Sequence, residues 1–437
     1  MNNKQMLQCD IIDLSYDGRG IGRINGKTCF IEGALPAEQV EFRLINQKRN
    51  YDEGRATQIL SKSEHRVEPA CKHFSRCGGC SLQHLDHHQQ LELKQQQLLN
   101  DLQRGGLTPK RILPALSAPQ WGYRRRARLA VQRAKDGKFL IGFRNTGSQR
   151  VEPITQCPVL TAPLPDVVAA LPEWLALLPV AVRVFEVELV SADSGFAIAI
   201  EASRLPADSV IARLVEGLQA MGLGSAQLWW KVGKQAQFAR CDSGSDKLSF
   251  AVTEGITVNV EPGQFIQVNG EVNRLMVEQI LSLLPLKGSR AIDLYCGTGN
   301  LSLPLTQRFE QVIGIEGLPV LVKAAIENAR INNLNNVQFR VADLTSDDAL
   351  TLACGPKGPI DLLLLDPPRN GAAGVMPWIA KSGAKQILYI SCHPATMIRD
   401  AEMLTKQGYK LSAIGVMGMF PHTTHIEAMA LFEKSKF

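Results

Sequence analysis

The stretch AIDLYCGTGNLSLPL, residues 291–305, decides the fold of the C-terminal part of this chain. It has the pattern of a strand, a glycine turn and the beginning of a helix. Glycines at such a turn let a ligand approach the backbone, and the helix N-terminus faces that ligand. A dinucleotide fingerprint would need a third glycine three residues after Gly299, where Ser302 stands. The pattern therefore favours an adenosine-containing ligand without a pyrophosphate, with a tight turn that binds nothing as the alternative.

Similar strands follow along the chain. RAIDLYC, QVIGIEG, DLLLLDPP and QILYISC are apolar runs that alternate with helical patterns. This alternation predicts a parallel sheet covered on both faces. Glu316 ends the second strand, at a distance that suits a ribose hydroxyl pair, and Asp343 follows the third, where an adenine amino group would lie. The last segment, LSAIGVMGMFPHTTHIEAMALFE, predicts two strands joined by a turn.

The N-terminal part has a different texture. Residues 4–60 contain short strand-like runs separated by glycine turns, which predicts a small β-barrel of a kind often used to hold nucleic acid. DHHQQLELKQQQLLNDLQRGG predicts one helix that ends at Gly105 and Gly106. We therefore expect a multidomain α/β protein with a barrel at 1–61, a central α+β domain at 62–262 and a Rossmann-like domain at 263–437.

The composition bears on the cellular compartment in which the protein works. The first ten residues are polar, and no apolar run reaches the length of a membrane span. We therefore expect a cytoplasmic, monomeric protein with no membrane partner. In a reducing cytosol the ten cysteines are not expected to form disulfides.

Positive charge is concentrated at the front of the chain. Residues 1–150 hold 25 Lys and Arg against 14 Asp and Glu, a net +11, whereas the remaining residues hold 23 against 28, a net −5. This asymmetry suggests a polyanionic partner such as RNA, although drift can produce it too. WGYRRRARLAV, residues 121–131, offers arginines for phosphates and aromatic rings for bases, or it forms a solvated basic strand.

CKHFSRCGGC, residues 71–80, places three cysteines in ten positions. Zinc would take Cys71, Cys77 and Cys80 with His73 or His84. An iron–sulfur cluster needs four thiolates, and Cys157, followed by a proline, offers the fourth. The spacing leaves both metals open.

Four motifs together resemble a known family. DLYCGTGN and LLLDPPR resemble the S-adenosylmethionine (SAM) methyltransferases with a Rossmann-like sheet. SCHPAT and HIEAMALF are similar to the RNA uracil-C5 methyltransferases. The cysteine segment and the barrel-like front resemble the branch that has an N-terminal TRAM domain and a 4Fe–4S cluster, and the whole chain is most similar to the bacterial enzymes that methylate uracil-1939 of 23S ribosomal RNA. The resemblance implies an enzyme of the 2.1.1 transferase class with 23S rRNA as its partner.

The resemblance also implies roles for individual residues. Cys392 matches the nucleophile that adds to uracil C6, and Glu427 matches the general base that removes the C5 proton, with His425 as a rival base. The residues matched to the SAM site are Gln267, Tyr295, Asn300, Glu316, Asp343 and Asp366. The residues matched to the 4Fe–4S cluster are Cys71, Cys77, Cys80 and Cys157. The family has asparagine after the nucleophile, and here His393 replaces it.

Three other interpretations stay open at this point. Within the family, the substrate could be a different ribosomal or transfer RNA uracil. A non-enzymatic interpretation is an iron–sulfur RNA-binding protein with an inactive SAM fold, which the presence of both Cys392 and Glu427 disfavours. A nicotinamide oxidoreductase is disfavoured by the missing third glycine.

Overall fold

The computed structural model describes residues 6–234, 236–355 and 358–434, and these fall into two units. The first unit holds the chain up to Lys94 together with Phe143–Glu152 and Phe420–Thr424. The second unit holds Gln95–Gly142, Pro153–Met419 and the residues from His425 onward. The three-domain division expected from the sequence stays a prediction.

The first unit begins with five strands that close into a barrel in the order β1-β2-β3-β5-β4. Their bounds are β1 Met6–Leu14, β2 Gly20–Ile24, β3 Lys27–Glu32, β4 Gln39–Gln47 and β5 Tyr51–Ser61. β3 and β5 pair in parallel, and the other neighbours are antiparallel. Alternate residues such as Ile31, Val40 and Phe42 are fully buried in the barrel core, as the period of two along a strand requires. The barrel predicted from the sequence is confirmed.

Helix α1, His87–Arg104, follows the cysteine segment and ends before Gly105 and Gly106, as predicted. Its first turns lie in the first unit and hold the loop Phe420–Thr424. The Lys94 ammonium donates to the carbonyl of Phe420 at 2.9 Å, and the His422 amide donates to Gln90 Oε1 at 2.7 Å. The loop that precedes His425 in the chain is therefore anchored beside the cysteine segment.

The middle of the chain forms a mostly antiparallel sheet in which β13, β12, β11, β10, β7 and β8 are neighbours in that order. The elements of this region are β6 Arg111–Ile112, β7 Arg126–Arg133, β8 Phe139–Arg144, β9 Val151–Pro153, α2 Leu164–Leu175, β10 Val184–Ala192, β11 Gly195–Ala202, α3 Asp208–Ala220, β12 Ala226–Val232, β13 Ala239–Arg240, β14 Leu248–Thr253 and β15 Ile256–Val260. The strands predicted from RARLAVQRA, RVFEVELVSA and GFAIAIEA correspond to β7, β10 and β11 and are confirmed.

The last part of the chain forms an eight-stranded sheet in the order β18-β17-β16-β19-β20-β22-β21-β6. Its elements are α4 Gly270–Leu283, β16 Gly288–Leu294, α5 Ser302–Leu305, β17 Phe309–Glu316, α6 Pro319–Ile331, β18 Val337–Val341, α7 Asp347–Cys354, β19 Leu362–Leu365, α8 Met376–Lys381, β20 Gln386–Ser391, α9 Pro394–Lys406, β21 Tyr409–Met417 and β22 Glu427–Lys434. Only β22 runs antiparallel to its neighbours among the described strands of this sheet. All four residues of β19 are fully buried, as expected for a strand covered on both faces.

This topology brings the functional segments to one edge. The carboxyl ends of β16, β17, β18, β19 and β20 share that edge, where ligands bind in sheets of this kind. Because β22 runs the other way, its first residue, Glu427, lies at the same edge. Within the described ranges, no helix is long and apolar enough to cross a bilayer.

Candidate active site

The turn after β16 has an unusual backbone. Tyr295, Gly297 and Gly299 all have positive φ angles, of 64°, 55° and 96°. Glycine adopts this conformation freely, whereas a tyrosine at positive φ is uncommon and is held there by its surroundings. A Cβ on Gly299 would lie 3.2 Å from Leu303 and Phe339, so the second glycine is also required by close packing.

A cavity opens beside this turn, at the carboxyl ends of β16 and β19. Four of the residues matched to the SAM site line it, namely Gln267, Tyr295, Asn300 and Asp366. Gln267 Nε2 donates to Asp366 Oδ2 at 3.2 Å, which joins two of these side chains across 99 residues of sequence. Asn300 exchanges two hydrogen bonds of 2.9 and 3.0 Å with Asn273 of α4, so its amide is fixed in orientation.

Glu316 and Asp343, the other two residues matched to the SAM site, are not among the residues that line this cavity. Glu316 Oε2 accepts from the Gly297 amide at 3.3 Å, so it contacts the turn that lines the cavity. Asp343 is exposed and accepts from the amide and hydroxyl of Thr345, and it does not line the cavity. Asp343 follows β18, which is an edge strand of the sheet and lies two strands from β16. Its assignment to the SAM site stays a prediction.

Asp293 belongs to the cavity although the sequence did not assign it a role. It is 1% exposed, and burial raises its pKa to about 8, with the negative charges of Asp366 and Glu316 adding to the increase. The Ser302 hydroxyl donates to Asp293 Oδ2 at 2.5 Å and opposes that increase. The serine that stands where a dinucleotide fingerprint has glycine therefore holds a buried carboxylate. A carboxylate inside the apolar run AIDL was the signal that could have identified it.

The carboxyl groups of Asp293 and Asp366 would attract a cation, and we call this space the cation cavity. Burial also raises the pKa of Asp366, to about 6. A positively charged ligand would stabilise the ionised carboxylates, and the desolvated surroundings would strengthen that attraction. A ligand with ammonium and sulfonium groups matches this demand.

The candidate nucleophile and base are brought together by strand pairing. Ser391, the last residue of β20, pairs with Ala428 of β22, so Cys392 and Glu427 lie one step further along the two strands. The half-buried Cys392 has its pKa raised to about 11 by burial, then by the charges of Glu427 and Asp366. Burial raises the pKa of Glu427 well above its ordinary value, and Asp366 adds to that increase. The thiol and both carboxyls therefore share one desolvated patch.

Arg369 supplies the opposing charge at this patch. Its guanidinium lowers the pKa of both Cys392 and Glu427, although burial outweighs it in each case. One of its nitrogens also lies 2.9 Å from His425 Nδ1, which is thereby the acceptor in this contact. His425 is thus engaged by an arginine, a poor arrangement for accepting a proton at that nitrogen.

His393 occupies the N-cap position of α9, directly after Cys392. Its side chain makes no capping hydrogen bond, whereas asparagine is among the best N-cap residues. The replacement therefore leaves the first turn of this helix without a side-chain acceptor close to the thiol.

The basic stretch at 121–131 does not form a solvated strand. Arg126 donates two hydrogen bonds, of 3.0 and 3.1 Å, to Glu188, which is 1% exposed, and Arg128 donates to the same carboxylate at 3.0 Å. Arg125 is 8% exposed. Loss of Arg126 would leave a buried carboxylate short of its main partner, at a cost of about 3–5 kcal/mol. Arg126 therefore has a structural part that the sequence did not indicate.

The cysteine segment holds three of the four cysteines matched to the cluster. In the ranges that the structure covers, no group of three or more His, Cys, Asp or Glu side chains is arranged to hold a metal ion. Burial raises the pKa of Cys77, the nearby Cys71 adds to it, and the Gly79 amide donates to Cys77 Sγ at 3.4 Å. An amide that donates to sulfur stabilises a thiolate, as a cluster or zinc ligand requires. Cys157 belongs to the second unit, so the four-cysteine set stays a prediction.

Of the two histidines considered for zinc, His73 is hydrogen-bonded, whereas His84 is neutral, the form that binds a metal. His73 Nδ1 lies 3.0 Å from Glu152 Oε1. His84 is 3% exposed, and burial lowers its pKa to about 4, so its ring is neutral at physiological pH.

Comparisons with known proteins agree with this geometry. The family model described as tRNA (Uracil-5-)-methyltransferase matches residues 86–435, and the TRAM domain model matches residues 5–57. The chain is 40% identical to the 23S rRNA (uracil(1939)-C(5))-methyltransferase RlmD of Alkalilimnicola ehrlichii, over 99% of this chain and 97% of that protein. It is 37% identical to the RlmD of Hahella chejuensis, over 99% and 98%.

A solved structure shares the fold. The Pyrococcus abyssi tRNA (uracil-54, C5)-methyltransferase in complex with S-adenosyl-L-homocysteine aligns with a TM-score of 0.76 and 23% identity, over 97% of this chain and 99% of that one. The family resemblance carried by the four sequence motifs is confirmed. The chain belongs to the family of RNA uracil-C5 methyltransferases and carries a TRAM domain at its N-terminus.

Proposed function

We propose that this chain transfers a methyl group from SAM to C5 of a uracil in 23S ribosomal RNA, at the position equivalent to uracil-1939, in the cytoplasm. The observation that carries the proposal is the pairing of Ser391 with Ala428, which brings the adjacent Cys392 and Glu427 together near Asp366 of the carboxylate-rich cavity. The names of the full-length relatives support this substrate.

The chemistry needs a nucleophile because uracil C5 is a poor nucleophile towards a methyl sulfonium. The Cys392 thiolate adds to C6, and the bond electrons move to give an enolate with electron density on C5. C5 then attacks the methyl carbon of SAM, and the sulfonium sulfur leaves with the bonding pair as a neutral thioether. Glu427 removes the C5 proton, the C5–C6 double bond re-forms, and the Cys392 thiolate departs.

The raised pKa values suit this sequence of steps. Burial raises the pKa of Glu427, and a carboxylate with a raised pKa is a stronger base, because its conjugate acid is weaker. The positive charge of SAM beside Asp366 would favour that ionised state. Methyl transfer then removes the positive charge of the sulfonium, just before the step in which the C5 proton needs an acceptor.

RNA contacts are assigned to the N-terminal part of the chain. The net charge of +11 over residues 1–150 would attract the phosphate backbone. The target base must leave its stack to reach Cys392, which costs a few kcal/mol, and backbone contacts offset this cost. The chain is proposed to act as a monomer.

Mapping of 5-methyluridine tests the function. We expect that 23S rRNA from a strain lacking the gene loses the modification at the uracil-1939 position, and that the purified enzyme with SAM restores it in vitro. Loss of a transfer RNA modification instead, with 23S rRNA unchanged, would assign the alternative substrate. SAM-dependent methylation of no RNA would leave the non-enzymatic interpretation.

We also propose a 4Fe–4S cluster bound by Cys71, Cys77, Cys80 and Cys157. Four thiolates are the ligands that such clusters take, and the Gly79 amide that donates to Cys77 supports a thiolate there. The cluster is assigned no step in the reaction, and its suggested part is to brace the segment that precedes α1.

Iron and sulfide analysis tests the cluster. Anaerobically purified protein is expected to be brown and to hold iron and acid-labile sulfide at about four each per chain. Cys157→Ala should lose the cluster, whereas Cys241→Ala, a matched cysteine of the second unit outside the set, should keep it. Stoichiometric zinc without sulfide would replace the proposal with the zinc alternative, and an intact cluster in Cys157→Ala would remove that residue from the ligand set.

A further inference from the structure

A second pocket of about 430 Å³ lies in the second unit, apart from the cavity described above. Residues before β7, after β10 and at the start of α4 line it. We call it the arginine pocket and define it by Arg125, Arg274, Asn269, Asp193 and Trp121. Nothing in the proposed reaction uses it.

Arg125 is buried there without an acceptor. It is 8% exposed, and within the described ranges its guanidinium makes no hydrogen bond or ion pair and lies over the ring of Phe250 at 4.9 Å. Burial lowers its pKa, and the positive charge of Arg274 lowers it further, while Asp193 opposes both. Arg125 lines the arginine pocket, so a ligand that enters the pocket can accept from its unused donors.

The surroundings of Arg125 add positive potential. Its guanidinium lies against Gly270, the first residue of α4, where any Cβ would overlap it. The N-terminus of this 14-residue helix carries partial positive charge, which Glu271 of its first turn and Asp193 offset in part within the same pocket.

Asn269 supplies a further unused donor. Its Oδ1 accepts from the Val272 amide at 3.1 Å and so caps α4, but its Nδ2 is buried and has no partner within the part of the chain that the structure describes. Arg274 likewise makes no hydrogen bond or ion pair there. The guanidiniums of Arg125 and Arg274 and the amide nitrogen of Asn269 can only donate hydrogen bonds, and all three residues line one pocket. A group with several acceptor oxygens and a negative charge would accept from them.

The arginine pocket adjoins the candidate active site through one short segment. Gln267 lines the cation cavity and donates to Asp366. The carbonyl of the next residue, Val268, accepts from the Arg125 amide at 2.9 Å. The residue after that, Asn269, lines the arginine pocket. A single residue, Val268, therefore separates the two lining residues along the chain. Two steps of extended backbone span about 7 Å, so the two lining residues are near neighbours.

We infer that the arginine pocket binds a phosphodiester group of the RNA strand next to the uridine that is methylated. This inference rests on the proposed function and adds to it a subsite for a flanking nucleotide. Phosphate oxygens match the three donors, two guanidiniums match its charge, and Trp121 offers a ring on which the attached base can stack.

Single methylphosphonate substitutions in an RNA oligonucleotide test the inference, because each removes one backbone charge. Arg274→Ala should weaken RNA binding about 10-fold and lower the salt slope by about 0.7, while SAM affinity stays unchanged. One methylphosphonate position adjacent to the target uridine should weaken binding to the unaltered enzyme and have no further effect in Arg274→Ala. Arg213→Ala removes an exposed charge from α3 and is the matched control, which should bind as the unaltered enzyme does.

Two results separate this inference from the proposed function. If the unaltered enzyme methylates the oligonucleotide but every methylphosphonate effect adds to that of Arg274→Ala, the phosphate subsite is wrong and the function stands. If the unaltered enzyme binds RNA with the expected coupling but methylates none, the subsite stands and the proposed reaction fails. Arg125→Lys keeps the charge without the forked donors and should lose more affinity than Arg213→Ala.

Discussion

Cys392→Ala is expected to form no covalent RNA adduct and to lose about 10⁶-fold in turnover, the size of loss found when a covalent nucleophile is removed. The physical reason is that C5 of the uracil carries too little electron density until a thiolate adds at C6. The measurement is a denaturing gel with methyl-labelled SAM, in which the adduct appears as a labelled band of reduced mobility.

Two controls accompany this variant. Cys241→Ala removes another half-buried thiol of the second unit and should retain full activity. SAM binding by Cys392→Ala should equal that of the unaltered enzyme, because Cys392 does not line the cation cavity. An adduct formed by Cys392→Ala would move the nucleophile to another cysteine.

The pH dependence follows from the same thiol. With a pKa of about 11, only about 10⁻⁴ of Cys392 is thiolate at pH 7 in the free enzyme. The raised pKa means that the reactive form increases with pH, so adduct formation at subsaturating RNA should rise from pH 7 to pH 9 without a plateau. A plateau below pH 8 would show that the pKa of Cys392 is lowered by a further group. That group would be one other than Glu427, Asp366 and Arg369.

The sequence indicated much of the site because parallel sheets place strand ends at one edge. Tyr295, Asn300 and Asp366 follow apolar strands, and the structure finds them lining one cavity. Asp343 does not line that cavity, and its assignment to the SAM site stays a prediction, since the rule gives the end of a strand but not how far that strand lies from the cavity. The strand order decides this, and it depends on pairing between distant segments.

Long-range partners account for most of what the sequence could not indicate. Arg126 and Glu188 are 62 residues apart, so a run of arginines gave no sign that one of them neutralises a buried carboxylate. The position of β22 between β20 and β21 is another case, because the local pattern predicts a hairpin but not its insertion beside Cys392. Strand β6, of two residues, is too short to produce any periodic signal.

Glu427→Gln is expected to lower turnover by about 10²–10⁴-fold and to accumulate RNA that is both methylated and attached to Cys392. Glutamine has the shape of glutamate but cannot accept the C5 proton. Attack and methyl transfer do not need that acceptor, whereas departure of the thiolate must wait until the proton is removed. The labelled adduct band should therefore be stronger in this variant than in the unaltered enzyme.

His425→Ala tests the rival base under the same conditions. Because His425 Nδ1 already faces Arg369 at 2.9 Å, its loss should leave turnover far above that of Glu427→Gln, with no accumulated adduct. Glu433→Gln, on the same strand β22 but at the far end from Cys392, changes the same chemical group and should behave as the unaltered enzyme does. If His425→Ala accumulated the methylated adduct and Glu427→Gln turned over, the proton would pass to the histidine, and the buried Glu427 would act only through the pKa of its neighbours.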